Sequence, residues 1–298
     1  MSKRALVTGS LGFTGHYICD ALKEQGWAVI GAGIQPSTAR DYHQCDLLDE
    51  AQIKAVVDTV KPTLVIHLAA VAFVGHEHAD AFYSVNILGT RNLLKSLARA
   101  SHSPDCVIVA SSANIYGNSI GGPLSEATQA NPGNDYAVSK LCMEHMARLW
   151  MDKLPIIITR PFNYTGIGQS TDFLVSKIVD HFRRKAQRIE LGNLQIGRDF
   201  SDVRDVARAY VALATGHHAG ETVNICSGAS TRLLKIMALA SELTGHHIDI
   251  DINPTLARHQ EVDSLCGDRS RLEALAGYWE PIPLRDTLRW MLEHATAE

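Results

Sequence analysis

Arg4-Ala5-Leu6-Val7-Thr8-Gly9-Ser10-Leu11-Gly12-Phe13-Thr14-Gly15 stands at the start of the chain. Arg4-Ala5-Leu6-Val7 reads as a short apolar strand. His16-Tyr17-Ile18-Cys19-Asp20-Ala21-Leu22-Lys23, just beyond, reads as a helix. Between them, Gly9 permits a tight turn, Gly12 lets backbone approach a pyrophosphate, and Gly15 lets the helix pack on the strand. A helix that begins at such a turn aims its free N–H groups at an anion. The stretch therefore predicts the first half of an open parallel sheet with a phosphate site at its C-terminal edge.

The chain beyond repeats the pattern. Strands are expected at Gly26–Gly33, ending near Gln44–Asp49, at Pro62–Ala70, Cys106–Ser112 and Ile156–Asn163. Helices fall between them, one from Glu50 with Asp49 as N-cap and a long one over about 81–100. Strands that are apolar on both faces, alternating with helices, indicate an α/β fold: a Rossmann-type doubly wound parallel sheet. After Asn163 the regularity falls, with helices expected near 173–187, 204–214, 231–243 and 284–294. The division expected is a dinucleotide domain of residues 1–162 plus about 200–224. A smaller C-terminal substrate-binding lobe would take 163–199 and 225–298. The second strand ends on Gly33, where an NAD-selective site carries an acid for the ribose 2′-hydroxyl. With Arg40 in the following loop to meet a 2′-phosphate, the cofactor is expected to be NAD(P)H, leaning to NADPH.

Composition narrows the class. The 298 residues are 46% hydrophobic and 20% charged, ordinary for a globular protein. Twenty-eight basic and 32 acidic residues leave a net charge of −4, which speaks against a nucleic-acid partner. No apolar run approaches the roughly 18 residues of a membrane span, and none resembles a secretory signal. The six cysteines are scattered without a C-x-x-C pair and read as reduced thiols, so a cytoplasmic location is expected. His76-Glu77-His78, His217-His218 and His246-His247 lack the spacing of a metal site, and no metal is expected. His67, on a buried strand, reads as a core histidine rather than a base.

Tyr136-Ala137-Val138-Ser139-Lys140 carries the chemistry. Tyr136 and Lys140 stand four apart at the head of a predicted helix and share one face. A cation within a few Å would lower the phenol from about 10 by roughly 1–3 pH units. A tyrosine so tuned passes protons near neutral pH.

Read together, these segments resemble the extended short-chain dehydrogenase/reductase family, the NAD-dependent epimerases and dehydratases. The likeness runs almost end to end. Thr8-Gly9-x-x-Gly12-Phe13-x-Gly15 is similar to its pyrophosphate turn, with Thr14 between the last two. Asp46, followed by Leu47, matches its adenine-binding acid, and His67-Leu68-Ala69-Ala70 its cofactor-lining strand. Asn86-x-x-Gly89-Thr90 matches its structural asparagine helix, and Asn86 reads as a structural hydrogen-bonder rather than a chemical participant. Ser111-Ser112-Ala113-Asn114-Ile115-Tyr116-Gly117 matches the strand end with the catalytic serine. Arg160-Pro161-Phe162-Asn163 and Gly197-Arg198-Asp199-Phe200-Ser201-Asp202-Val203-Arg204-Asp205-Val206 resemble the branch acting on nucleotide-linked sugars. Arg258-His259-Gln260-Glu261-Val262 with Gly267-Asp268 resembles its GDP-mannose group, although His259 replaces the usual proline.

The resemblance implies roles. Ser112, Tyr136 and Lys140 would be catalytic. Gly9, Gly12, Phe13, Thr14, Gly15, Arg40, Asp46, Leu47, Leu68, Ala69, Ala70, Asn86, Pro161 and Phe162 would bind the cofactor with Tyr136 and Lys140. Ser112, Asn114, Tyr136, Asn163, Arg198, Arg258 and Glu261 would bind the substrate. Arg198 and Arg204 lie among Asp199, Asp202 and Asp205, whose alternative reading is a surface ion-pair cluster; function is favoured for Arg198 and structure for Arg204. Dehydratases of this group place an acid two residues after the serine. Asn114 stands there and cannot lend a proton. The implied activity is reduction of the C4 ketone of a GDP-linked 4-keto-6-deoxyhexose to GDP-D-rhamnose. A nucleotide-sugar epimerase with tightly held NAD, or a reductase of a dTDP-linked sugar, would use the same residues. The family also implies a homodimer through the Asn86 and Tyr136–Lys140 helices.

Overall fold

The computed structural model describes residues 3–72, 79–117, 122–253, 255 and 264–294. The strands are β1 (Arg4–Thr8), β2 (Ala28–Gly33), β3 (Tyr42–Gln44), β4 (Leu64–His67), β5 (Cys106–Ala110), β6 (Ile156–Pro161), β7 (Asn163–Thr165), β8 (Arg188–Leu191), β9 (Gly197–Asp202), β10 (Thr222–Ile225), β11 (Ser230–Arg232), β12 (Asp249–Ile252) and β13 (Ser264–Leu265). The α-helices are α1 (Phe13–Glu24), α2 (Glu50–Val60), α3 (Ala79–Tyr83), α4 (Thr90–Arg99), α5 (Asp135–Arg148), α6 (Leu174–Arg183), α7 (Val203–Thr215), α8 (Leu233–Thr244), α9 (Ser270–Ala276) and α10 (Leu284–Glu293).

Seven strands form one parallel sheet in the order β10-β6-β5-β4-β1-β2-β3. The order reverses between β1 and β4, which opens a crevice at their C-terminal ends. Alternate side chains of each strand enter different cores, as the period of two requires. Val7, Ile66 and Ile108 pack with Ile18 and Leu22 of α1 and Leu213 of α7. Leu6, Val65 and Val107 face the other way, onto Ile53 of α2, Leu97 of α4 and Met143 of α5. The Rossmann-type expectation holds. Asp49 caps α2 as expected, accepting from the N–H groups of Ala51 and Gln52 at 2.9 and 3.1 Å.

Three local expectations need correction. The long helix over 81–100 is interrupted: Ser84–Gly89 is a six-residue π-helical stretch between α3 and α4. At its end the Thr90 hydroxyl donates to the Asn86 carbonyl at 2.7 Å. No strand was expected in 200–224, yet β10 closes the sheet beside β6. Helix α9 falls in the stretch assigned to the lobe, but its Leu272 packs in the same core as Val7 and Tyr210.

The smaller lobe has its own core, built from Ile178 and Phe182 of α6, Ile236 and Leu239 of α8, and Leu288 and Met291 of α10. Strand β7 leaves the main sheet and pairs with β9, whose other neighbours are β11 and β13. This places the lobe over the C-terminal edge of the parallel sheet.

Candidate active site

The glycine turn follows from its backbone. Gly9 has φ +72°, a conformation that side chains disfavour, and its N–H donates to the Ala32 carbonyl at 2.7 Å. A Cβ on Gly9 would lie 2.9 Å from the Ala69 nitrogen, and one on Gly15 would overlap the Gly9 carbonyl. The turn is a cradle that only glycine fits, opening on a cavity of about 1590 Å³ between sheet and lobe.

Most of the expected residues meet at this cavity. Gly9, Gly12, Phe13, Thr14, Gly15, Asp46, Leu47, Leu68, Ala69, Ala70, Pro161 and Phe162 line it, as do Ser112, Asn114, Tyr136, Lys140, Asn163 and Arg198. Arg40 is exposed and Asn86 is buried, and neither lines it. Asn86 is instead a strut. Its Oδ1 accepts from Val71 N–H at 2.9 Å, and its Nδ2 donates to the Val71 carbonyl at 3.2 Å and to Ser139 Oγ at 3.0 Å. Its amide thus ties the chain after β4 to α5. Arg258, Glu261 and the His76-Glu77-His78 cluster lie outside the described residues.

Ser112 ends the turn after β5, where its Oγ accepts from Asn114 N–H at 3.2 Å. Its hydroxyl also bonds the Tyr136 phenol. Asn134 caps α5 by accepting from Ala137 N–H at 2.9 Å, which sets Tyr136 in the first turn. Lys140, one turn on, donates from Nζ to the Ala110 carbonyl at 2.7 Å. Burial pushes Tyr136 up to about 12, against the Ser112 hydrogen bond, and the nearby Tyr164 adds to the rise. Burial holds Lys140 down to about 8, against the field of Glu144. The expected lowering of Tyr136 by Lys140 is therefore corrected. Desolvation dominates at Tyr136, and the Lys140 ammonium is engaged by the Ala110 carbonyl instead.

The sequence profile of the NAD dependent epimerase/dehydratase family matches residues 5–226. The chain belongs to this family. A relative named GDP-6-deoxy-D-talose 4-dehydrogenase, from Aggregatibacter actinomycetemcomitans, is 35% identical over 92% of this chain and 91% of its own. The crystal structure of an epimerase-family protein from Burkholderia cenocepacia J2315 superposes with a TM-score of 0.92 at 46% identity, covering 98% of this chain and 97% of that one. The structure of RMD from Pseudomonas aeruginosa complexed with NADPH superposes with a TM-score of 0.87 at 30% identity, covering 98% of each chain. The protein is thus an extended short-chain dehydrogenase/reductase and an NAD(P)-dependent oxidoreductase.

The site of this family member fits its cofactor on structural grounds. The Gly9–Gly15 cradle offers backbone N–H groups at the start of α1 to a diphosphate. Ser111 lines the cavity with a buried hydroxyl that has no partner among the described residues, a donor in want of a ligand. Gly33 lines the cavity where an acid would read a ribose 2′-hydroxyl.

Several buried groups support the site from behind. His67 is held between Thr8 Oγ1 at Nδ1, 2.7 Å, and Thr90 Oγ1 at Nε2, 2.8 Å. Because Thr90 donates its own proton to the Asn86 carbonyl, it accepts from Nε2–H, and Thr8 donates to Nδ1. Burial pushes the imidazole down to about 3, so His67 stays neutral. Arg160 forks onto Glu144 at 2.9 and 2.7 Å, and its Nη1 donates to the Tyr116 hydroxyl at 2.9 Å. Glu144 follows Lys140 by one turn, so this buried pair fixes the α5 face that bears Tyr136 and Lys140.

The acidic segment after Arg198 is not a surface cluster. Asp199 is fully buried and accepts from Ser227 N–H and Oγ, Gly228 N–H and Gly267 N–H, at 2.7 to 3.2 Å. Asp202 caps α7 and binds Arg204 at 2.9 and 2.7 Å, with the guanidinium 3.9 Å from the Trp290 ring centre. Asp205 accepts from Ile282 N–H at 2.6 Å. Arg204 is structural, as expected, while Arg198 lines the cavity. Tyr164 and Tyr210 also line it, and sequence reasoning passed over both. Tyr164 had a signal, since it directly follows Asn163; Tyr210, buried in α7, had none.

Proposed function

We propose that the protein reduces the C4 ketone of GDP-4-keto-6-deoxy-D-mannose, with GDP-D-rhamnose as product and NADPH as the reductant. What supports this most directly is the convergence of Ser112, Tyr136 and Lys140 on a cavity whose wall also carries Asn163 and Arg198. A reduced nicotinamide cofactor, its diphosphate held on the Gly9–Gly15 turn, would supply the hydride. Ser112 donates a hydrogen bond to the ketone oxygen as negative charge develops there. Tyr136, protonated at neutral pH, delivers its proton to that oxygen, and once the alcohol has formed the Ser112 hydroxyl turns its hydrogen bond to the phenolate left behind. Lys140 supplies positive charge beside it. Arg198 and Asn163 would hold the diphosphate, with Arg258 on phosphate and Glu261 on ribose. A guanidinium fork matches phosphate oxygens. Asn114, in place of an acid, removes the proton donor that elimination of water would need, which favours simple reduction. Gly33 supports NADPH; Arg40, away from the cavity, does not add to it. Leu88, just before α4, and Leu149, the C-cap of α5, are 52% and 77% exposed, which supports a homodimer through these helices.

The 35% relative's name supports a second product, GDP-6-deoxy-D-talose, the C4 epimer. It requires only that the opposite ketone face meet the hydride. The test follows NADPH oxidation by purified protein offered GDP-4-keto-6-deoxymannose, with the product resolved by NMR. Tyr136→Phe should lower kcat at least about 100-fold. Near-normal kcat in that variant refutes the assignment. Tightly bound NAD with no net oxidation of NADPH would indicate the epimerase.

A further inference from the structure

Glu190, the third residue of β8, lines the cavity from the smaller lobe. Its neighbours hold it there. Lys177 of α6 donates from Nζ to the Glu190 backbone carbonyl at 2.8 Å, and Asn253, just past β12, donates from Nδ2 to Glu190 Oε2 at 3.2 Å. The parallel pairing of β8 with β12 sets Glu190 beside Asp251, whose carboxylate is taken up by Arg188 at 3.6 Å. The Lys177 ammonium bonds the Glu190 carbonyl and not its carboxylate. A carboxylate offers about four lone-pair positions and no proton. With one amide donor on Oε2, Glu190 keeps most of that capacity for a ligand.

This charge limits what can lie against it. It repels phosphate, so in a nucleotide-sugar site it belongs to the nucleoside end. Leu174, at the start of α6, and Leu191, next to Glu190, also line the cavity and offer the apolar surface on which a flat base packs. Among the common bases, only guanine sets two donors side by side on one edge, N1–H and N2–H2. Uracil and thymine place one donor between two acceptors; adenine and cytosine set an amino group beside an acceptor. We propose that Glu190 reads the base, its two oxygens accepting from N1–H and N2–H2 of guanine. A pyrimidine would turn its O2 toward the carboxylate with no proton between them, and that repulsion excludes it. The inference rests on the GDP-sugar reading above and names the residue that enforces it.

The test is calorimetric binding of GDP, IDP, UDP and dTDP to purified protein saturated with NADP+, which keeps the diphosphates out of the cofactor site. IDP is GDP without the N2 amino group. The original protein should bind GDP about tenfold tighter than IDP, the loss of one hydrogen bond to a charged group, and should bind UDP and dTDP more weakly than GDP. Glu190→Gln keeps the size and one accepting oxygen but turns a donor toward the base. It should bring GDP and IDP to within about threefold of each other and bind UDP no more weakly than before. Unchanged NADP+ binding shows that the variant is folded. GDP and IDP bound alike by the original protein, a GDP preference that survives Glu190→Gln in full, or equal weakening of GDP and UDP, as a ribose contact would give, each overturns the inference and leaves the GDP-sugar reading standing. A preference of the original protein for UDP or dTDP over GDP overturns that reading and the inference with it.

Discussion

Lys140→Met should cost activity yet change stability in a way that only a buried cation explains. Lys140 is 4% exposed, and burial brings its ammonium from 10.5 down to about 8. At roughly 1.4 kcal/mol per pH unit, that difference corresponds to about 3 kcal/mol by which the folded state disfavours the charge. Below pH 8 the lysine is charged in both states, and the folded protein bears the whole penalty. Between 8 and 10.5 the unfolded chain holds one more proton than the folded one, so the stability of the lysine protein rises with pH. Above 10.5 the penalty is gone. Methionine has the length and none of the charge, so its stability relative to lysine should fall by about 3 kcal/mol from about pH 7 to about pH 11. The lost hydrogen bond to the Ala110 carbonyl shifts the two curves by a pH-independent amount and leaves this slope intact. His67, the neighbour that feels Lys140, titrates near 3, outside the window. Tyr136 titrates at its upper end, in both proteins alike. Denaturant unfolding of cofactor-free protein across that pH range measures the difference. A gap constant to within about 1 kcal/mol would refute the buried-cation account.

Two further outcomes follow from the support behind the site. Glu144→Gln strands Arg160 in a buried position and should destabilise the fold by about 3–5 kcal/mol in denaturant melts; Glu144→Gln/Arg160→Met, which removes both charges, should lose less than Glu144→Gln alone. Gly9→Ala puts a Cβ 2.9 Å from the Ala69 nitrogen on a backbone at φ +72°. It should cost about 1–3 kcal/mol in thermal or denaturant melts and abolish detectable NADP+ binding by calorimetry.

The features legible in the sequence are those written in short-range spacing. The glycine turn, the strand–helix alternation and the pairing of Tyr136 with Lys140 depend on residues within a few positions of one another. Asp49 as a helix cap was legible for the same reason. What escaped notice depends on residues far apart in the chain. Thr14 and Tyr164, hydrogen-bonded through their hydroxyls, are 150 positions apart, and no periodicity links them. Asp199 looked like one acid among several because its donors come from Ser227, Gly228 and Gly267. Strand β10 is only four residues long and gains its identity from β6 beside it.

The Tyr136–Lys140 pair shows where local reasoning gives the wrong sign. Spacing places a cation near a phenol, and a nearby cation alone predicts a phenol that ionises more easily. Folding removes both groups from water, and desolvation acts on each in the direction of neutrality: Tyr136 up to about 12 and Lys140 down to about 8. The mechanistic consequence is directional. A protonated tyrosine in a dry pocket is ready to donate to a ketone oxygen at neutral pH. The reverse oxidation must first remove that proton against burial, with the Ser112 hydrogen bond as the phenolate's main support. For the proposed reductase, alcohol oxidation should therefore require more alkaline conditions than ketone reduction.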